Sequence, residues 1–274
     1  MLGATDPAGA VRSATNHRGA RAAARGGYLI NGVLHLLIAY LIFRVAIGSG
    51  HGDTDQSGAL STLAETRGGF LALWAVAVAL VPLTLWRIAE TVLGLHPSEH
   101  HDPDPEDFRM VNRLKALGLA VVYAAVAAMA VQFALGSRYS AATRSMGLSA
   151  WLMRTPEGKA ALAGIGVGVI AIGGYFAFKG ASRRFREDLT ISGGRLLTVL
   201  GACGHIAEGL VLAGAGVLVV IASIRADPSK ATGLDGAVKA LQQAPFGSVL
   251  IGVAAAGFAA YGLYSFALTR YARM

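Results

Sequence analysis

A spacing of 89 residues governs this sequence. Two sets of glycines and one set of aromatic residues recur at that interval, with three members each: Gly58, Gly147 and Gly236; Gly69, Gly158 and Gly247; Trp86, Tyr175 and Tyr264. A fixed period of this kind is typical of one supersecondary unit used repeatedly. Here each unit contains two long apolar stretches separated by a shorter polar segment. The period therefore constrains both the number of long elements and their order.

Six apolar stretches are long enough to cross a membrane. They occur at 28–48, 70–90, 116–136, 160–180, 196–222 and 248–269. Each is close to the roughly 20 residues that span the hydrocarbon of a bilayer as a helix. Only 15% of the chain is charged, against about 25% in soluble domains. Because backbone groups in lipid must bond within their own segment, the sequence predicts an all-α integral membrane protein with six transmembrane helices.

The apolar stretches and the charged segments between them divide the chain. We expect a disordered tail at 1–26, repeats at 27–95, 113–182 and 196–274, an acidic and His-rich loop at 96–112, and a basic loop at 183–195. Each repeat holds two spans, an even number, so all three repeats enter the bilayer in the same direction. The sequence therefore predicts parallel repeats, related by an axis along the membrane normal in a pseudo-threefold arrangement.

The basic residues favour one orientation. Fifteen Lys and Arg residues fall on the side of the two termini, and nine fall on the opposite side. The positive-inside rule then places both termini in the cytoplasm, in a multi-pass protein of the plasma membrane. This flanking pattern also explains the net charge of +8. We therefore expect the lipid bilayer as partner, together with membrane proteins that the sequence does not identify, and no nucleic acid.

Each repeat carries a short segment between its two spans. Residues 58–63 align with 147–152 and 236–241, and a turn follows in each case. This spacing predicts a short amphipathic helix at the membrane interface before the chain re-enters the bilayer.

Two patterns inside the spans predict how the helices are placed. Gly164 with Gly168, and Gly252 with Ala256, have the spacing of small residues at helix contacts in lipid. The periodic aromatic residues lie near the ends of their spans. We interpret all three as members of an aromatic belt at the membrane interface.

The three-copy pattern resembles a known family. The third copy carries the resemblance most clearly, in Gly233-Leu-Asp-Gly-Ala-Val-Lys-Ala-Leu241, Pro245-Phe-Gly247 and Ala-Leu-Thr-Arg-Tyr271. On these motifs the chain is similar, over about residues 20–274, to the membrane proteins of the domain of unknown function 1206 family. The resemblance implies six spans and no assigned activity. Where that family usually reads Ala-Arg-Gly in the first helix, this chain has Ile30-Asn-Gly32 and Ala207-Glu-Gly209.

Glu208 is the leading candidate for a functional residue, because an ionisable side chain inside a span is costly unless it is used. His205 precedes it by three residues on the same helix face. These two residues can exchange a proton or hold a cation with a third ligand. Alternatively, Glu208 is structural, either protonated or bonded to Asn31 or His35 of the first repeat. Asn31 is its equivalent by repeat register, and Leu119 is the equivalent in the second repeat.

A weaker metal site is conceivable in the loop at 96–107. It holds three histidines, His96, His100 and His101, with five carboxylates, and imidazole with carboxylate suits divalent transition metals. The loop is interrupted by proline and has no fixed ligand spacing. We therefore expect a solvated loop and no metal.

The chain contains no P-loop, no HExxH and no Gly-x-Ser-x-Gly sequence, which favours a non-enzymatic role without a cofactor. Three classes of function remain. The protein is a structural or accessory membrane component, a small transporter or channel using the polar site around Glu208, or a lipid- or quinone-binding membrane protein. The first is favoured, because the three register-equivalent positions are not all polar.

Overall fold

The computed structural model describes residues 18–49, 52–93, 106–137, 140–190 and 194–272. These ranges form helices, with one isolated bridge between Leu189 and Ala272. In chain order the helices are α1 (Arg18–Ala46), α2 (Gln56–Ala64), α3 (Gly69–Leu93), α4 (Glu106–Ala134), α5 (Ala141–Leu152), α6 (Pro156–Ala181), α7 (Arg195–Arg225), α8 (Gly233–Gln242) and α9 (Gly247–Tyr271). Short 3₁₀ helices lie at Arg184–Asp188 and Pro228–Lys230.

Six of these helices, α1, α3, α4, α6, α7 and α9, have the length and apolarity to cross a membrane. They coincide with the six predicted stretches, so the prediction of an all-α, multi-pass membrane protein is confirmed. Every repeat has the order long helix, short helix, long helix. The short helices α2, α5 and α8 therefore lie on one side of the membrane, called here the connector side. Arg18 and Tyr271 lie on the opposite, terminal side.

Two helices begin earlier than the predicted segments. Helix α1 starts at Arg18, inside the stretch expected to be a disordered tail, because alanine and arginine are strong helix formers. Helix α4 starts at Glu106, inside the expected 96–112 loop.

Three helix pairs make the most extensive contacts: α3 with α4, α6 with α7, and α9 with α1. In each pair the second long helix of one repeat packs against the first long helix of the next, and the third repeat returns to the first. A pseudo-threefold arrangement requires this closed cyclic pattern. Contacts within repeats are unequal, because α7 and α9 pack extensively whereas the described parts of α4 and α6 barely touch.

Two of the cyclic interfaces use the same close approach between backbones. A Cβ added to Gly32 of α1 would lie 3.0 Å from the carbonyl oxygen of Gly262 of α9. A Cβ added to Gly262 would likewise lie 3.0 Å from the carbonyl oxygen of Gly32. Gly209 of α7 and Gly173 of α6 face each other in the same way. A Cβ added to Gly209 would lie 2.5 Å from the carbonyl oxygen of Gly173, and one added to Gly173 would lie 2.6 Å from that of Gly209. Gly173 and Gly262 are 89 residues apart, one period of the sequence. The repeat pattern therefore extends to the packing of individual residues.

The predicted contact face of α6 was wrong. A Cβ at Gly164 or Gly168 would meet no atom within 4 Å. The glycines that approach α7 instead lie seven residues apart, at Gly166, Gly173 and Gly180. Helix α6 is so rich in glycine that several faces satisfy a small-residue pattern, and only the position of α7 selects one. The same holds for α9. A Cβ added to Gly252 would meet no atom within 4 Å, whereas Gly262 is the glycine that approaches α1.

The connectors form a joined layer, and the predicted short helices are confirmed. Thr54, which precedes α2, donates from its backbone N and its Oγ1 to Oδ1 of Asp235 in α8, at 3.0 and 3.1 Å. The backbone N of Ala141 in α5 donates to Oγ of Ser57 in α2 at 3.1 Å. Helices α5 and α8 also contact each other. Each connector is therefore tied to the other two.

The periodic glycines in the first turns of α3, α6 and α9 are required for the same structural reason. At each of them an added Cβ would collide with a carbonyl oxygen of the short helix just before it; the pairs are Gly69 with Leu63, Gly158 with Leu152, and Gly247 with Gln242. Only glycine lets the chain turn this tightly from a connector into the next span.

The aromatic belt was predicted wrongly for Tyr264. Its side chain is buried, and its hydroxyl donates to the carbonyl oxygen of Phe185 at 3.2 Å. Tyr175 is exposed, as a belt residue would be, and the side chain of Trp86 lies outside the described part of the structure. The 3₁₀ helix that carries Phe185 covers α9 on the terminal side, and this cover could not be foreseen from the period alone.

Candidate intramembrane polar site

A histidine and a glutamate meet in the middle of the helix bundle. His35 of α1 and Glu208 of α7 belong to the first and third repeats, and the distance from Nε2 of His35 to Oε1 of Glu208 is 3.2 Å. His35 is buried, and 20% of the Glu208 side chain is exposed. The other carboxyl oxygen of Glu208, Oε2, is buried and has no hydrogen-bond partner among the described residues.

The hydrogen bonds of His35 fix how many protons the pair holds. Nδ1 of His35 lies 2.8 Å from the carbonyl oxygen of Asn31, which can only accept, so Nδ1 carries a proton. In a neutral ring Nε2 is then the acceptor. The contact between Nε2 and Oε1 therefore needs one further proton, either on the imidazole or on the carboxyl group. With this proton the pair has no net charge, and without it a carboxylate would face a lone pair.

Aromatic rings surround His35 on the α9 side. The ring of Tyr261 lies 4.7 Å from the imidazole between centroids, and that of Phe258 lies 5.9 Å away and is stacked on it. These rings exclude water from one side of the pair and hold the imidazole in one orientation. Low polarity around a charge-assisted hydrogen bond strengthens it.

The side chain of Asn31 lies in the same region but forms its hydrogen bond with a residue other than Glu208. Its Nδ2 donates to Oγ of Ser265 in α9 at 3.1 Å, and its carbonyl oxygen accepts from His35. Asn31 therefore links α1 to α9 and orients the histidine. It makes no hydrogen bond to Glu208 itself, although the two residues are equivalent by register.

His205 forms no hydrogen bond with Glu208. Its Nδ1 donates to the carbonyl oxygen of Gly201, one turn earlier in α7, at 2.7 Å. The imidazole is enclosed by four aromatic rings with centroids 5.0 to 6.0 Å away: Phe176, Phe185, Tyr261 and Tyr264. Although His205 and Glu208 are only three residues apart on one face of α7, the imidazole of His205 belongs to this aromatic cluster.

The residues that sequence reasoning missed all lie on α9. Ser265 and Tyr261 are polar groups within an apolar stretch, and that is the signal that could have drawn attention to them. They contribute because α9 closes the ring against α1. The contact between the last span and the first is not visible in the local sequence.

The described residues contain no group of three or more His, Cys, Asp or Glu side chains arranged to hold a metal ion. The weak alternative, His96, His100 and His101, falls outside the described residues, so its outcome stays a prediction. What the His35–Glu208 pair offers chemically is a single exchangeable proton within the membrane.

Comparison with known proteins places the chain in a family. The sequence profile of the Domain of Unknown Function (DUF1206) matches three times, at residues 26–94, 114–183 and 203–272. The chain is also similar to the Uncharacterized protein YxxB of Bacillus subtilis (strain 168), with 26% identity over 246 residues, which cover 88% of this chain and 87% of that protein. No solved structure matches the chain. The three profile matches coincide with the three repeats of the structure, and the chain therefore belongs to the DUF1206 family.

Proposed function

We propose that this membrane protein binds and releases a proton at the His35–Glu208 pair, as part of a small proton-coupled transporter. The observation that carries the proposal is the hydrogen bond between Nε2 of His35 and Oε1 of Glu208, next to the unpartnered Oε2. This bond requires one shared proton. Ionisable residues at membrane depth in transporters commonly form such proton sites.

The position of the pair supports this proposal. His35 and Glu208 come from different repeats, on helices α1 and α7, and both contact or adjoin α9. A change in protonation therefore acts between repeats rather than within one helix. Movement of one repeat against another is how repeat-built transporters expose a central site to alternate sides.

Infrared spectroscopy tests the proton directly. In the wild-type protein, reconstituted in lipid, we expect the carbonyl stretch of a protonated carboxyl group, or that of its carboxylate, to change with pH. Glu208→Gln should remove this component. The matched control is Glu157→Gln, which changes an exposed glutamate at the start of α6 and should leave the component in place. A spectrum in which Glu208→Gln equals the wild type would refute the proposal.

Flux measurements then separate proton binding from transport. Vesicles that contain the protein and an entrapped pH-sensitive dye should acidify inside when an inward proton gradient is imposed. Glu208→Gln should abolish this acidification while the protein remains folded. Titration of Glu208 without any flux would keep the proton site and argue against the transporter.

A structural role is the second candidate, and one observation favours it. The bond between Asn31 and Ser265 and the stacking of His35 on Phe258 hold α1 to α9 without any need for proton exchange. In that case Glu208→Gln behaves as the wild type in every assay, because the amide can donate to Nε2 of His35. The infrared experiment distinguishes the two candidates.

We further propose the plasma membrane as the location, with both termini in the cytoplasm. The support is the distribution of basic residues, 15 on the terminal side and 9 on the connector side. The connectors α2, α5 and α8 would then face the outside of the cell.

A further inference from the structure

A second polar site lies on the connector side, away from the His35–Glu208 pair. All three repeats contribute to a cavity of about 320 Å³ there. Small-molecule sites typically measure roughly 300–1,000 Å³, so this cavity has room for a small molecule only. It has an apolar part and a polar part, formed by residues that include Leu218, Met146, Ser140, Thr143, Asp53 and Lys230.

Two of the charges in this cavity are already used by the protein. Asp235 is buried and accepts from Thr54 through Oδ1. Its Oδ2 accepts from Nζ of Lys239 at 2.7 Å. Asp235 is therefore saturated, and the two hydrogen bonds that it accepts from Thr54 hold the first and third connectors together. Neither residue needs a ligand to complete its hydrogen bonds.

The remaining two charges are opposite in sign and belong to different connectors. Asp53 precedes α2, and Lys230 ends the 3₁₀ helix that precedes α8. Both line the cavity, yet they form no ion pair with each other in the described structure. Asp53 accepts one long hydrogen bond, from Oγ of Ser57 at 3.3 Å. The cavity therefore presents a carboxylate and an ammonium group that are not paired with each other.

We infer that this cavity binds a small zwitterion, with its anionic group at Lys230 and its cationic group at Asp53. A molecule with charge of only one sign would be attracted by one of these groups and repelled by the other. A zwitterion can satisfy both groups, and the hydroxyl groups of Ser140 and Thr143, which also line the cavity, can supply neutral hydrogen bonds. Two sources carry this chemistry, a soluble amino acid or amine phosphate and the headgroup of a zwitterionic phospholipid.

Calorimetry on the full chain in detergent tests this inference. The zwitterionic probes are L-alanine and O-phosphoethanolamine, and the comparison probes, which carry charge of only one sign, are inorganic phosphate and ethanolamine. We expect at least one zwitterion to bind, and to bind more tightly than either comparison probe. Lys230→Gln and Asp53→Asn should each weaken that binding about tenfold, as expected for the loss of one charge-assisted hydrogen bond.

Arg67→Gln is the matched control, because Arg67 is an exposed cation on the same side and does not line the cavity. It should leave binding unchanged, and thermal unfolding should show that all three variants are folded. Native mass spectrometry gives the lipid arm. Retention of phosphatidylethanolamine over phosphatidylglycerol, lost in Lys230→Gln and Asp53→Asn, would identify a headgroup as the source.

Two results would overturn the inference. One is binding of inorganic phosphate as tight as that of O-phosphoethanolamine and unaffected by Asp53→Asn, which would mean a simple anion site. The other is the absence of binding by both zwitterions together with no preference for phosphatidylethanolamine. Neither result bears on the proton site, because Glu208 is not part of this cavity.

Discussion

The imidazole of His35 decides what each substitution at Glu208 does to stability. Glu208→Gln keeps a hydrogen bond to Nε2, so its free energy of unfolding should be close to that of the wild type. Glu208→Leu leaves Nε2 buried without a partner, which should cost about 1–3 kcal/mol. Unfolding in mixed micelles, followed by circular dichroism, measures both. Equal stability of the Leu and Gln variants would show that the bond contributes nothing.

Asp55 gives a pH-dependent prediction outside the spans. It caps α2, with Oδ1 accepting from the backbone N of Ser57 at 2.8 Å and of Gly58 at 3.2 Å. Burial raises the pKa of Asp55 above its ordinary value of 3.8, and the hydrogen bonds from Ser57 and Gly58 oppose that rise only in part. The folded state therefore binds this proton more tightly than the unfolded chain does. The resulting stabilisation of the folded state is complete below pH 3.8 and is lost as the pH rises through the pKa that Asp55 has in the folded protein.

The variant Asp55→Asn should remove this pH dependence while preserving the cap, because asparagine is an equally good N-cap residue. Thermal unfolding measured from about pH 4 to pH 7 would show whether the stability of Asp55→Asn varies less with pH than that of the wild type. Asp227 is the control of opposite sign. The hydroxyl of Ser229 lowers the pKa of this exposed carboxyl, so its contribution is present above 3.8 and disappears only as pH falls below that value. A persistent slope in Asp55→Asn would assign the effect to another group.

For the single residue, the sequence identified the glutamate and named His35 as one of three possible partners, with His205 and Asn31, but it could not select among them. A carboxylate within an apolar stretch stands out in any reading of the residues. His205 was the obvious partner because the helical period places it one turn away. Its Nδ1 is occupied by its own helix, however, at the carbonyl oxygen of Gly201. His35 is 173 residues distant in the chain, and only the packing of the helices brings it to Glu208.

Among the helices, the α6–α7 pair depends most on small residues. A Cβ at Gly173 would meet the backbone of both Gly209 and Ala213. Gly173→Leu should therefore separate the two helices and reduce the free energy of unfolding by at least ~1–3 kcal/mol, the usual cost of overpacking. Gly174→Leu is the matched control, since nothing lies within 4 Å of its added Cβ. If both variants unfold alike, the close approach is not important for stability.

The helices themselves could be predicted almost completely from the sequence. Length, apolarity and the period of 89 residues were sufficient for the six spans and the three connectors. The contact faces could not be predicted in the same way. Gly164 and Gly166 are equally small and only two residues apart, yet one faces away from the protein and the other faces α7. Composition alone cannot distinguish them.

For the whole molecule, the sided distribution of basic residues makes a topology prediction. Cys203 is the only cysteine and is exposed, so the background is Cys203→Ser. We expect cysteines introduced at Arg67 or Ala240, exposed residues of the connector side, to react with an impermeant maleimide on intact cells. Cysteines at Arg186 or Arg270, on the terminal side, should react only after permeabilisation. The reverse pattern would invert the orientation.

The symmetry of the molecule was predictable, but its departures from symmetry were not. An even number of spans in each repeat is sufficient to require parallel repeats. Nothing in the period indicates that α4 and α6 separate while α7 and α9 pack together. The polar pair lies on the closely packed side. Its counterparts in the second repeat, Tyr123 and Leu119, carry no charge.

The pairing of α9 with α1 also determines when the fold can be completed during synthesis. Helix α1 leaves the ribosome long before α9, with which it has its most extensive interface, and Gly32 has no backbone to meet until Gly262 has been synthesised. Until then the α1 surface, with His35 on it, is open to lipid or to a chaperone. A chain that stops before α9 leaves this surface uncovered, and the cell can recognise it as unfinished.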